Sequence, residues 1–257
     1  MEISSKTSIK PMGIFASLLY FGIPSVIFYF FIYFVMQRLH GAGVNDFVNF
    51  YASMVTPLIL MLIASLVAYK SEGNKFSWAL LSKRFRLKKM EKKDWIYTLI
   101  LIVAMIIIQG GLAFTSKWLI QFDFFAPPTF LLPAVDPRLE HNLVLNSFMG
   151  FPLKGQWWIF FVYLSVLVFN IIGEEFWWRG YILPRQELAF KNWTWVAHGI
   201  FWALFHFFWK WNLLILLPVS LVLSYVVFKQ KNTWIAIITH MIFNSIPLIG
   251  LLIGIIG

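Results

Sequence analysis

Residues 157–180 read WWIFFVYLSVLVFNIIGEEFWWRG. Seventeen residues pass without a charge, and then Glu174, Glu175 and Arg179 arrive within six positions. A membrane span needs about 20 mostly apolar residues. The stretch therefore reads as a span that runs on past Gly173 into charged sequence. Similar apolar runs lie at about 14–36, 53–69, 95–115, 193–209, 212–228 and 233–257. Pro247 is placed to break the last one in two. The expected fold is all-α, a polytopic transmembrane helical bundle built as a single integral membrane domain over residues 1–257. It has seven spans, or eight if the last run splits or a short piece near 122–134 inserts.

Composition agrees. Hydrophobic residues make up 60% of the chain and charged residues 12%, where a soluble domain carries about 25% charged residues. Mean hydropathy is +0.76. So little polar sequence cannot cover a water-soluble globule, which excludes an ordinary soluble enzyme. There is no cysteine, so disulfides, thiolate nucleophiles and thiolate metal sites are excluded. The net charge of +10 belongs to no soluble basic module, and nucleic acid is not an expected partner.

Loop charges set the orientation. The first run follows Lys6 and Lys10 but is too long and too aromatic for a signal peptide. With seven spans and a cytoplasmic N-terminus, sixteen basic residues fall inside and five outside. The segment 83–93, KRFRLKKMEKK, reads as a basic stretch at the bilayer surface, or as a solvated loop. The outer loop 116–156 carries Pro127, Pro128, Pro133 and Pro137 and cannot be one helix. Trp95, Trp157, Trp158, Trp193, Trp209, Trp211 and Trp234 fit interfacial belts.

An ionisable group inside a span costs roughly 2.5–3.5 kcal/mol on insertion scales and is a functional candidate. The interiors of the first three runs hold none. The later runs hold Glu174, Glu175, Arg179, His206 and His240. On a helix Asn170 and Glu174 share one face, and Glu175 and Arg179 share another, in the order that suits an ion pair. One carboxylate is thus neutralised by its own helix and the other is left to work. The plain alternative is that all three charges mark a helix end. His206, and the pair His240 and Asn244 one turn apart, are polar positions in apolar runs; a lone residue of this kind is usually an interhelical hydrogen bond. His198 reads as structural or interfacial.

A carboxylate and a His can hold and deprotonate a water, and burial strengthens a carboxylate as a base. A second His and an Asn can donate to the oxyanion of a tetrahedral intermediate. That set suffices for amide hydrolysis without a covalent nucleophile. Glu174, His206 and His240 could instead ligate zinc.

The segments EEFWWR at 174–179, WALFH at 202–206 and HMIFN at 240–244 together resemble the three motifs of the CPBP family (CAAX proteases and bacteriocin-processing enzymes, also called Abi). The resemblance covers about residues 150–250. Trp202 stands where the family usually has Phe, which reads as a conservative packing change. The cysteine-free, Lys- and Ile-rich composition points to a bacterial plasma membrane, and the resemblance implies an intramembrane endopeptidase acting on membrane-associated or lipidated proteins and peptides. It implies Glu174 and His206 as the water-activating pair, His240 and Asn244 as oxyanion donors, Glu175 and Arg179 as a supporting pair, and no cofactor. The alternatives are a zinc protease, a non-enzymatic immunity or scaffold protein on the same fold, and a transporter or proton relay. For Glu174 and His206 to meet at one depth, the fourth helix must continue to about Glu187.

Overall fold

The computed structural model describes residues 9–140 and 145–257. Lys6 of the basic N-terminus and residues 141–144 of the loop expected outside lie beyond them. The structure is 78% helical. Sequence that is apolar all round gives helices that suit a packed core on one side and lipid on the other.

Helix α1 spans Ile14–Gly41 and α2 spans Asp46–Ser71. Each contains a π-helical turn, Phe31–Val35 in α1 and Tyr51–Val55 in α2. A short α3 (Trp78–Arg84) precedes α4 (Lys92–Leu119). Helix α5 is Trp157–Glu175, followed by a π-helical turn Phe176–Ile182 and α6, Leu183–Phe190. Helix α7 is Thr194–Phe205, and a 3-10 stretch His206–Asn212 leads into α8, Leu213–Gln230. Helices α9 (Thr233–Asn244) and α10 (Ile246–Ile256) meet at a 42° bend. Pro247 sits in the first turn of α10, where it starts a helix without losing a needed hydrogen bond.

Among the described residues, four helical stretches are long and apolar enough to cross a membrane, or five if the bent α9–α10 pair counts as one. The protein is an integral membrane protein. The expected seven or eight spans divide the continuous stretch Trp157–Gln230 into several. That stretch does fold back on itself: α7 packs along α8, with Trp209 out of helical geometry between them (φ −112°, ψ 48°). The piece near 122–134 does not form an eighth span. It contains only the 3-10 turns Asp123–Phe125 and Pro133–Val135, because its prolines stop any longer helix. A two-stranded hairpin, β1 (Ser147–Phe148) with β2 (Phe151–Pro152), follows before α5. Leu153 just beyond it packs on Leu251 and Ile255 of α10.

The core lies where α5, α7 and α9 meet α1, α2, α4 and α8. Trp178, Phe205, Trp211 and Leu101 are fully buried there. The outer faces stay apolar: Phe15 is 81% exposed and Ile107 67%, as lipid-facing residues should be. Trp211 is a correction. It is 1% exposed and fills the core beside Trp209 rather than an interfacial belt.

The basic segment is tied down more firmly than a solvated loop would be. Arg84 makes a bidentate pair with Glu72 at 2.7 and 2.8 Å and donates to the carbonyls of Gly180 and Tyr181 at 3.0 and 3.3 Å. Those carbonyls belong to the π-helical turn, whose displaced hydrogen-bond ladder leaves acceptors for an outside donor. Arg86 makes a bidentate pair with Glu187 at 2.6 and 2.9 Å. Lys83, Lys88, Lys89, Lys92 and Lys93 remain exposed.

Candidate active site

Helix α5 delivers Glu174 and Glu175 as its last two residues, and the helical chain carries on to Phe190. This continuation is the one the depth argument requires. Two i,i+4 pairs then form on different faces. Trp178 donates its indole N–H to Glu174 Oε2 at 3.3 Å. Arg179 donates Nη1 to Glu175 Oε1 at 2.9 Å, with both side chains 0% exposed.

Helix α7 adds Trp202, whose indole N–H donates to the same Glu174 Oε2 at 3.4 Å. One turn on, at the junction with the 3-10 stretch, His206 Nδ1 lies 2.8 Å from the Trp202 carbonyl. A carbonyl only accepts, so Nδ1 carries the proton and Nε2 keeps its lone pair. Helix α9 brings His240, whose Nδ1 lies 2.9 Å from Glu175 Oε1. Asn244 is the last residue of α9 and is part-exposed. The Trp202 ring is the common wall. Arg179 sits over its face at 4.0 Å, and His206 and His240 meet it edge-on at 5.1 and 6.1 Å between centroids.

The six candidates divide by access. Eight buried side-chain polar atoms lack a partner among the described residues, and they include Glu175 Oε2 and Arg179 Nε and Nη2. Glu174 Oε1, His206 Nε2, His240 Nε2 and the Asn244 amide are not among these atoms, and they make no hydrogen bond within the described residues. They are therefore open to a small molecule from outside the packed chain. One carboxylate has a held oxygen and a free one; the other is sealed between a guanidinium and an imidazole.

Asn170, expected on the Glu174 face, has its Oδ1 buried without a partner. His198 is fully buried and takes a structural place. Its Nδ1 lies 2.6 Å from Gln186 Oε1, and Gln186 donates onward to Ser17 Oγ at 2.9 Å. No group of three His, Cys, Asp or Glu side chains among the described residues is placed to hold a metal ion. A cavity of about 460 Å³ lies elsewhere, between α1 and α2. It is apolar, it has Trp177 on its wall, and none of the six candidates lines it.

Residues 156–246 match the family model "Type II CAAX prenyl endopeptidase Rce1-like". The match is to the family that the three motifs resemble. It spans less than half of the chain, from just before α5 to the first residue of α10, and contains all six candidates. No curated protein and no solved structure matches the chain. The family supports a membrane endopeptidase with a peptide substrate at the bilayer.

Trp178 and Trp202 do not stand out in the sequence as site residues. Trp178 stands four residues after Glu174, a spacing that puts an indole N–H on the carboxylate's own face. Trp202 reads as packing in the sequence because its ring is aromatic like Phe, although only the indole carries a donor.

Proposed function

We propose that the chain is an intramembrane endopeptidase that cuts membrane-associated or lipidated proteins and peptides by glutamate-activated water. The observation behind this reading is the division of access. The four side chains with free reactive atoms are those the chemistry needs, and the two sealed ones are those it needs only for support.

In this reading a water donates one hydrogen bond to Glu174 Oε1 and one to His206 Nε2. Glu174 takes a proton as the oxygen attacks the scissile carbonyl carbon. The carbonyl oxygen becomes an oxyanion facing His240 Nε2 and the Asn244 amide. For Nε2 of His240 to donate while Nδ1 donates to Glu175, the ring carries both protons, and the Glu175 carboxylate is its counter-charge. Collapse breaks the C–N bond, and the Glu174 carboxyl returns its proton to the leaving amine.

The topology proposed with it has α1, α2, α4, α5, α7, α8 and the α9–α10 pair as seven spans, with the N-terminus cytoplasmic. Residues 150–250 form the catalytic part of a single membrane domain. The cysteine-free, Lys- and Ile-rich sequence suits a bacterial plasma membrane.

The test uses purified protein in lipid vesicles and a peptide that the wild type cleaves. Glu174→Gln and His206→Ala lose at least roughly 10²–10⁴ in kcat. His240→Ala and Asn244→Ala lose roughly 10²–10³. Chelator treatment leaves turnover unchanged. Wild-type turnover by Glu174→Gln would sink the assignment.

A further inference from the structure

We propose that Trp202 is a positioning residue for Glu174, acting through its indole N–H. The inference rests on the protease reading of the site. Trp202 is 3% exposed and touches more of the site than any of the six candidates. Its N–H donates to Glu174 Oε2 at 3.4 Å, its carbonyl holds His206 Nδ1 at 2.8 Å, and its face carries Arg179 at 4.0 Å.

Each contact does something different. The carbonyl fixes the tautomer of His206, and any residue at the position would supply it. The ring face gives the buried guanidinium a cation–π partner, and Phe would supply that too. Only the indole supplies the N–H. With Trp178 it clamps one oxygen of Glu174 and so turns the other toward the open side. The cation on the ring face draws electron density from the indole and makes its N–H a better donor. Trp202 therefore connects the sealed Glu175–Arg179 pair to the working carboxylate. At 3.3 and 3.4 Å both N–H bonds are long, so each should carry the low end of the range for a hydrogen bond to a charged group.

Trp202→Phe keeps the ring and the carbonyl and removes the N–H. We expect kcat to fall about tenfold, with KM changed by less than about twofold because no substrate contact is lost. Trp178→Phe removes the second N–H from the same oxygen and should act in the same direction. Loss of both should exceed the product of the single effects. Trp211→Phe, an equally buried indole without contact to Glu174, should leave kcat unchanged.

A second readout needs no turnover. The infrared band of the Glu174 carboxyl group, isolated as the difference between wild type and Glu174→Gln, should move in Trp202→Phe and in Trp178→Phe but not in Trp211→Phe. A band that stays in place in Trp202→Phe, or wild-type kcat in that variant, overturns the inference. If the wild type itself turns over no substrate, the protease reading fails, and the band alone decides whether Trp202 positions the carboxylate.

Discussion

Glu175 Oε1 is shared by Arg179 Nη1 and His240 Nδ1, each at 2.9 Å. Removing one partner from a buried ion pair leaves an uncompensated charge and costs about 3–5 kcal/mol. Glu175→Gln, which leaves Arg179 and the doubly protonated His240 without their shared counter-charge, should therefore shift the denaturing detergent midpoint strongly downward. The double variant Glu175→Gln/Arg179→Met should recover part of that loss, since it no longer buries an unpaired guanidinium. Equal loss in the single and double variants would show that shape at position 175, not charge, matters. At this scale the pairing of Glu175 with Arg179 was legible because a four-residue spacing fixes a shared helix face. The bond from His240 to Glu175 was not, since it joins residues 65 positions apart and depends on how α5 and α9 pack. The donors on Glu174 were legible in part: Trp178 obeys the same spacing, while Trp202 arrives from another helix.

Between elements, close approach depends on glycines, Gly173, Gly180, Gly199 and Gly254, whose missing side chains let a neighbouring segment touch the backbone. At Gly199 an added Cβ would lie 2.8 Å from Leu221 Cδ2 and 2.9 Å from Leu221 Cα of α8. Ser220 Oγ also donates to the Gly199 carbonyl at 2.8 Å. Gly199→Val should push α7 off α8 and cost about 1–3 kcal/mol, visible as a lower thermal midpoint in detergent. Gly110→Ala on α4, where nothing lies within 4 Å, should be neutral or slightly stabilising. An unchanged midpoint for Gly199→Val would contradict the packing. The helices themselves were legible because an unbroken apolar run needs no tertiary context to declare itself, and Pro247 marked the bend between α9 and α10. The π-helical turn Phe176–Ile182 was not, because a shift from i→i+4 to i→i+5 bonding has no compositional signature. Nor was the docking of Arg84 on that turn. A basic segment looks alike whether its arginines face lipid, water or the carbonyls of Gly180 and Tyr181.

Over the whole molecule, charge distribution and the catalytic account meet in one orientation. The chain has no cysteine, so single cysteines can report topology without background. Lys89→Cys, on the basic segment, should resist a membrane-impermeant maleimide in intact cells and react after permeabilisation. Lys154→Cys, on the outer loop, should react in both. The reverse pattern would invert the proposed topology. That topology also puts the Glu174 end of α5 toward the cytoplasmic side, continued inward by α6, with the basic segment tied to it. The central claim is that this interior cuts peptide bonds through Glu174. The most direct measurement is a termini-resolved proteome of cells making the wild type beside cells making equal amounts of membrane-inserted Glu174→Ala. The account predicts a set of new peptide termini, at or near the membrane, present with the wild type and missing with the variant. Identical termini in the two, with both proteins folded and in the membrane, would contradict it and point to a membrane protein that uses this interior for something other than cutting.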